Sequence, residues 1–127
     1  MTTYQIQIYQ TGGRKQPFAE WIEALADAQA RARIQARLAR VALGNFGDHK
    51  PVGSGVIELR IDWGPGYRVY LARVGSALLI LLCGGDKTTQ EEDINRAKSY
   101  LADFKARSAP APGARDPHRA RRRKRGV

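Results

Sequence analysis

Residues 56–72 read VIELRIDWGPGYRVYLA and predict the hairpin around which the rest of the fold is arranged. In the first half, apolar residues alternate with charged ones, which is the period-two pattern of a strand with two different faces. Gly64-Pro65-Gly66 is a strong turn signal. Residues 67–72 then form the return strand, so the segment predicts two antiparallel strands joined by a short turn.

One face of this hairpin collects the polar side chains of both strands. Pairing across the turn would place Glu58, Arg60, Arg68 and Tyr70 on that face, and Lys87 would enter at the end of the next strand. Two guanidiniums, an ammonium, a phenol and a carboxylate suit a phosphodiester, because arginine can hold two of its oxygens and stabilise a developing anion. The same residues could instead form an exposed face joined by cross-strand ion pairs.

Upstream of the hairpin, the pattern predicts one strand and two helices. Residues 3–10 alternate as a half-buried strand, and Pro17 suits the first position of a helix. Asp27 can cap a second helix over residues 28–43, which Gly44 would end. The apolar positions of that helix are predicted to face inward, and its arginines mostly outward. These arginines are Arg31, Arg33, Arg37 and Arg40.

Downstream, residues 77–83 are an unbroken apolar run, which predicts a central strand buried on both faces. Residues 84–88 superficially resemble a phosphate-binding loop, but a tight connection between strand and helix is the favoured interpretation. Thr89 and Glu92 have capping-box spacing, and an apolar stripe follows to Phe104. The predicted order is β-α-α-β-β-β-α, an α+β fold with a mostly antiparallel sheet, an N-terminal helical hairpin and a C-terminal helix.

Charge divides the chain into a body, residues 1–104, and a basic tail, residues 105–127. The tail holds nine of the 22 Lys and Arg residues and one of the 12 acidic residues, so it carries +8 of the net charge of +10. Its composition predicts disorder. A run such as Arg121, Arg122 and Arg123 can hold phosphates without reading sequence. The alternative is a solubilising terminus that binds polyanions incidentally.

Composition also excludes several classes of protein. Cys83 is the single cysteine, and there are two histidines, so a disulfide framework and a metal centre are not expected. Common cofactor and nucleotide motifs are absent from the sequence, and no cofactor is predicted. The longest apolar run has seven residues, far fewer than the roughly 20 that a membrane-spanning helix needs. We therefore expect a cytoplasmic protein that has no membrane partner.

Three segments together resemble the RelE/ParE toxin superfamily, and within it the HigB-like branch known as addiction module killer proteins. They are ELR at residues 58–60, GPGYRVY at residues 64–70 and LLCGGDK at residues 81–87. The resemblance runs from residue 4 to about residue 104 and leaves out the tail. It implies a small RelE-like toxin fold, with a helical hairpin on one side of a sheet.

The resemblance also implies a function. RelE-like members cleave messenger RNA on the ribosome, where the substrate's own 2′-hydroxyl attacks the adjacent phosphate, and ParE-like members poison DNA gyrase. Carried onto this chain, Arg60, Arg68 and Lys87 would be the catalytic residues that neutralise the phosphate or help a proton move. Glu58 and Tyr70 would bind substrate, with Tyr70 stacking on a base or orienting the backbone.

A toxin of this kind implies a cognate antitoxin protein, which we expect to cover the basic sheet face or the terminal helix. The family's catalytic tyrosine and histidines have no clear counterparts, because Tyr100 falls inside the last helix, His49 precedes the predicted strands and His118 lies in the tail. The general acid and base stay unassigned. Three functions therefore remain open: a ribosome-dependent endoribonuclease, a non-enzymatic gyrase inhibitor, and a basic RNA-binding module.

Overall fold

A five-stranded sheet forms the middle layer of the protein. The structure is a computed structural model that describes residues 2–108. The strands are β1 (Gln5–Ile8), β2 (His49–Gly53), β3 (Val56–Ile61), β4 (Tyr67–Val74) and β5 (Leu78–Asp86). They lie in the order β1-β5-β4-β3-β2. β1 runs parallel to β5, and every other neighbouring pair is antiparallel.

Three helices flank this sheet. They are α1 (Pro17–Ala24), α2 (Ala28–Ala42) and α3 (Gln90–Ser108), and a single 3-10 turn (Lys87–Thr89) leads into α3. The α+β class and the mostly antiparallel sheet are therefore confirmed. Pro17 is the first residue of α1, as its fixed φ and missing N–H favour. No helix within residues 2–108 combines the length and the apolar character needed to cross a membrane.

The predicted order β-α-α-β-β-β-α is wrong in one element, because it omits β2. This strand reads HKPVG, and neither Pro51 nor Gly53 favours a strand interior. β2 forms because it lies at the sheet edge, where a proline needs no second partner and the outer edge of β3 gains backbone hydrogen bonds. His49, predicted to lie in a loop, is consequently the first residue of a strand.

The sheet separates two apolar cores, which gives the protein three layers. α1 and α2 cover one face, where the buried side chains include Phe18, Ile22, Ile34, Leu38, Leu59, Val69, Leu71 and Leu81. α3 covers the other face, where they include Val56, Tyr70, Ile80, Leu82, Ala97 and Leu101. Each large aliphatic side chain buried in this way contributes about 1.5–3 kcal/mol. The alternating pattern of β3 and β4 supplies both cores, because successive residues point to opposite faces.

Asp27 caps α2, as predicted. Its Oδ1 accepts hydrogen bonds from the backbone N–H groups of Gln29 and Ala30, at 2.9 and 3.2 Å. Its Oδ2 accepts a third from Trp63 Nε1 at 3.1 Å, which ties the start of α2 to the β3–β4 turn. The hydrogen bond from Trp63, followed by that from Ala30, lowers the pKa of Asp27 below its ordinary value.

This lowered pKa predicts an acid-dependent loss of stability. Hydrogen bonds to the carboxylate stabilise the fold above the pKa of the unfolded chain, and that stabilisation is lost as the pH falls through the lower pKa of the folded state. Asn keeps a capping oxygen but does not titrate. Thermal midpoints measured from about pH 5 to about pH 2 should therefore fall further for the wild type than for Asp27→Asn. Parallel curves would contradict this role of Asp27.

Arg37 is the exception among the four α2 arginines, which were predicted to face mostly outward. It is only 8% exposed. Its guanidinium donates to three backbone carbonyls, those of Phe46, Arg60 and Asp48, at 3.0, 2.8 and 2.6 Å. Burial lowers the pKa of Arg37, and the nearby charge of Asp48 opposes that shift. The side chain holds α2 against the end of β3 and the segment before β2, a contact that helical periodicity cannot reveal.

Replacing Arg37 with methionine should destabilise the protein by about 2 kcal/mol, because three buried carbonyls lose a charged donor. Methionine keeps the length and apolar stem of the side chain, so the change isolates the hydrogen bonds. Chemical denaturation would measure the loss, with Arg40→Met at an exposed position of α2 as the control. Equal losses of unfolding free energy in the two variants would show that the hydrogen bonds to the three carbonyls do not stabilise the fold.

α3 continues through Ser108, four residues beyond the boundary predicted at residue 104. Arg107 in this last turn donates to the Asp103 carboxylate at 2.9 Å and to the carbonyl oxygen of Gln10 at 2.5 Å. Tyr9 OH donates to the same carboxylate at 2.6 Å. Residues 105–108 therefore belong to the folded helix rather than to the tail.

Candidate phosphate-binding site

The β3–β4 hairpin brings the two predicted arginines together. Arg60 pairs directly with Arg68, and Glu58 with Tyr70, which confirms that the four residues share one face of the hairpin. Lys87, the first residue after β5, is exposed beside them. Gly66 lies between two of these side chains, since a Cβ built there would be 3.6 Å from Arg68 Nη1 and 3.5 Å from Lys87 Cβ. We call Arg60, Arg68 and Lys87 the cationic site.

Arg60 lies at the open side of the cationic site. Its side chain is 35% exposed, and its Nε is 3.4 Å from Oδ1 of Asp48, which is 64% exposed. The contact is ionic, and Arg60 Nε makes no hydrogen bond within the described residues. Solvent screens an exposed pair of this kind, so it is worth only about 0–1 kcal/mol. The guanidinium is therefore available to an incoming anion.

Arg68 lies next to a buried carboxyl group, that of Glu58. Its side chain is 13% exposed, and its Nε is 3.9 Å from Oε1 of the fully buried Glu58. Two neutral donors fix the other oxygen of Glu58: Tyr70 OH at 3.1 Å and Gln90 Nε2 at 2.7 Å. Oε1 itself accepts no hydrogen bond within residues 2–108. Residues of β3, β4 and α3 thus hold a negative group behind the arginine.

The structure corrects the roles predicted for Glu58 and Tyr70. Both are fully buried, so neither side chain can touch a bound RNA directly, and Tyr70 cannot stack on a base. The physical reason is α3, which packs over the hairpin face that the sequence predicted to be open. Burial, together with the charge of Glu58, raises the pKa of Tyr70 far above its ordinary value. Tyr70 is therefore a neutral structural donor rather than a source of protons.

The strand-to-helix connection after β5 is the structural turn that the sequence favoured. Asp86 Oδ1 accepts from the backbone N–H of Thr88 at 2.8 Å, and Thr89 completes the capping box. Asp86 thus caps the 3-10 turn that leads into α3, and the hydroxyl of Thr89, the predicted cap of the helix, donates to Asp93 at 2.5 Å. A carboxylate already occupies the amides that a phosphate would need.

Sequence reasoning missed Gln90 and Asp48, which complete the surroundings of the two arginines. Gln90 bonds Glu58 across 32 positions, and Asp48 meets Arg60 because β2 pairs with β3. The sequence analysis assigned no role to either residue, and β2 gives no strand signal. Arg121, Arg122 and Arg123 lie outside the described residues. Within residues 2–108, no three His, Cys, Asp or Glu side chains are grouped to hold a metal ion.

An apolar groove of about 610 Å³ lies on the opposite side of the sheet, between α1 and α2. Its apolar lining includes Ile6, Ile8, Phe18, Ile22, Leu38 and Leu81. Glu23 and Arg31 are among its polar lining residues, and Ile8 is 37% exposed. The two helices therefore leave part of the sheet uncovered at its edge strand, β1.

The chain is similar in sequence to a protein that is described as uncharacterized. No protein-family model matches the chain. A stretch of 81 residues is 54% identical to a protein of Haemophilus influenzae described as uncharacterized, and it covers 64% of this chain and 82% of that protein. Identity of this extent shows common descent and a shared fold. The chain therefore belongs to the same family as this uncharacterized Haemophilus influenzae protein.

Proposed function

We propose that this protein is the toxin of a type II toxin–antitoxin system and acts as a ribosome-dependent endoribonuclease on messenger RNA. The observation that carries the proposal is the direct pairing of Arg60 with Arg68, with Lys87 exposed beside them. The three cationic residues occupy neighbouring positions at one end of β3, β4 and β5. The resemblance of residues 58–87 to RelE/ParE toxins supports the same function, and so implies a cognate antitoxin as partner.

The proposed reaction is an internal transfer of the phosphate. The 2′-oxygen of the RNA bonds to the adjacent phosphorus and the bond to the 5′-oxygen breaks, which leaves a 2′,3′-cyclic phosphate and a 5′-hydroxyl. One proton leaves the 2′-hydroxyl, and one is added to the departing 5′-oxygen. Negative charge grows on the phosphoryl oxygens in the transition state, and preorganised cations stabilise it most strongly there.

Each member of the cationic site has a role in this proposal. Arg68 is the best positioned, because the buried Glu58 and the walls of the hairpin restrict its side chain. A planar guanidinium held in this way can contact two phosphoryl oxygens at once. Arg60 contributes a second guanidinium from the neighbouring strand, and Lys87 contributes a mobile point charge.

A non-enzymatic toxin of the same fold is the second candidate, and a specific observation favours it. Glu58 and Tyr70, two groups that could have handled protons or bases, are fully buried. Of the two carboxylates in contact with the cationic site among the described residues, Asp48 beside Arg60 is then the exposed one, and Glu58 beside Arg68 is buried. A protein without an efficient base could act by binding alone, for example on DNA gyrase, or could be a basic RNA-binding module without toxicity.

Expression of the wild-type chain from a tightly controlled promoter separates these candidates. The endoribonuclease is expected to arrest growth and to leave messengers with 5′-hydroxyl ends. A gyrase inhibitor would arrest growth with intact messengers and an induced DNA-damage response. Normal growth at confirmed expression would leave only the RNA-binding module. Co-expression of a small protein encoded beside the gene should restore growth if that protein is the antitoxin.

A further inference from the structure

A second group of cations lies at the same end of the sheet, on the face opposite the cationic site. A cavity of about 260 Å³ opens there between α2 and the end of β3. It is lined by Arg33, Ala36, Arg37, Arg40, Ile61 and Asp62. Three guanidiniums and one carboxylate give its walls a formal charge of +2. We call it the arginine cavity.

Two of the three guanidiniums of this cavity, those of Arg33 and Arg37, are held in place. Arg33 stacks over the Trp63 ring, with its Cζ 3.8 Å from the ring centre. Trp63 is itself fixed by its hydrogen bond to Asp27 at 3.1 Å. Arg37 is more than nine-tenths buried and is fixed by its three carbonyl partners. An arginine fixed in advance loses less conformational entropy when it binds an anion.

The cavity also keeps unused capacity for an anion. Arg33 and Arg40 are exposed, and within residues 2–108 neither forms an ion pair with a carboxylate. The exposed Asp62 on the same walls is likewise in no ion pair there. α2 itself carries no acidic residue over its 15 positions. Within residues 2–108, Asp62 is therefore the one acidic side chain that lines the cavity, and it forms an ion pair with none of the guanidiniums.

The arginine cavity is physically joined to the cationic site. Arg37 Nη1 donates to the carbonyl oxygen of Arg60 at 2.8 Å, while the Arg60 side chain belongs to the opposite face of β3. The two groups of cations thus flank one strand end. A chain of phosphates passing around the β3–β4 turn would meet both.

We propose that the arginine cavity binds a second phosphate of the same single-stranded RNA whose scissile phosphate lies at the cationic site. This inference rests on the proposed function and extends its substrate contact to α2. The cavity would hold the strand while Arg60 and Arg68 act on it. It would bind RNA without reading its sequence, because phosphate contacts position a strand and carry no base information.

Binding of a labelled 12-nucleotide 2′-O-methyl oligouridine tests the proposal, because this probe lacks the free 2′-hydroxyl needed for cleavage. The full chain carrying Arg33→Gln and Arg40→Gln is compared with the full chain carrying Arg14→Gln and Arg73→Gln. The second pair removes the same charge from exposed positions outside the cavity. Thermal melting confirms that both variants are folded.

The cavity variant is expected to bind about ten times more weakly than the wild type at low salt, and the control variant less than twofold more weakly. The slope of log affinity against log salt should flatten by about 0.7 in the cavity variant, since the cavity holds one phosphate and each lost phosphate contact on a single strand accounts for about 0.7. Equal losses in the two variants would overturn the proposal, because net charge alone would then explain them. Growth arrest by the wild type is measured separately. Equal binding losses with growth arrest would therefore contradict only the role of the cavity, and normal growth would contradict the proposed toxin function.

Discussion

Replacing Arg68 with alanine should lower toxicity by about 10²-fold or more, which is the usual loss when one preorganised charge donor is removed from a transition state. The reason lies in its position, opposite Arg60 and next to Lys87, with Glu58 behind it. The measurement is the inducer level needed to arrest growth, together with messenger cleavage by the purified protein on ribosomes.

Arg68→Ala should also reduce stability, and this effect has to be separated from the catalytic one. An arginine on an open sheet face would contribute only about 0–1 kcal/mol. Arg68 is instead 13% exposed and is the cation next to the buried Glu58, so its loss should cost about 1–3 kcal/mol.

Arg68→Lys supplies the control, because it keeps a positive charge near Glu58 but cannot make a two-pronged phosphate contact. We expect a nearly normal melting temperature and only partial toxicity. Full toxicity in Arg68→Ala at a normal melting temperature would remove Arg68 from the site. If toxicity follows only the folded fraction in every Arg68 variant, the residue is structural.

Replacing Gly85 with alanine should destabilise the protein by about 4 kcal/mol or more, within the range known for severe overpacking. A Cβ at this position would lie 1.8 Å from Oδ2 of Asp93 and 2.9 Å from Oγ1 of Thr89. Asp93 cannot easily move, because it is 4% exposed and bonded to Thr89 and Arg96. Either α3 shifts away from β5 or this hydrogen-bonded group breaks.

Gly12→Ala is the matched control, since a Cβ there meets nothing within 4 Å. It should change the free energy of unfolding by less than about 0.5 kcal/mol. A double-mutant cycle with Asp93→Ala locates the clash, because Gly85→Ala should cost clearly less once the carboxylate is absent. The same cost in both backgrounds would show that Asp93 is not what the new methyl group meets.

Much of the hairpin could be predicted from sequence because its signals are local. The alternation in residues 56–61 predicts a strand with two different faces. The glycines and the proline that follow predict the turn, and the apolar run of β5 predicts a buried strand. Local rules also place the Asp27 cap. These features do not depend on which surface later covers the sheet.

The covering of the hairpin by α3 could not be predicted in this way. Its amphipathic stripe indicates that α3 packs on something, but periodicity cannot say which face of the sheet receives it. The alternating pattern therefore predicted that Glu58 and Tyr70 lie on an open face of the sheet, although α3 buries them both. The sequence also could not show that Arg37 is the α2 arginine that faces inward, because its three acceptors are backbone carbonyls, which carry no sequence signal.

Cleavage of a defined messenger on purified ribosomes tests the central claim most directly. The messenger is incubated with the wild-type protein and ribosomes together, with the protein alone and with ribosomes alone. The new RNA ends are then identified chemically. We expect cleavage only when both the ribosome and the protein are present, with 2′,3′-cyclic phosphate and 5′-hydroxyl ends, and cleavage that is reduced but not abolished in Arg68→Lys. An intact messenger, in the presence of a protein preparation that arrests growth, would contradict the endoribonuclease.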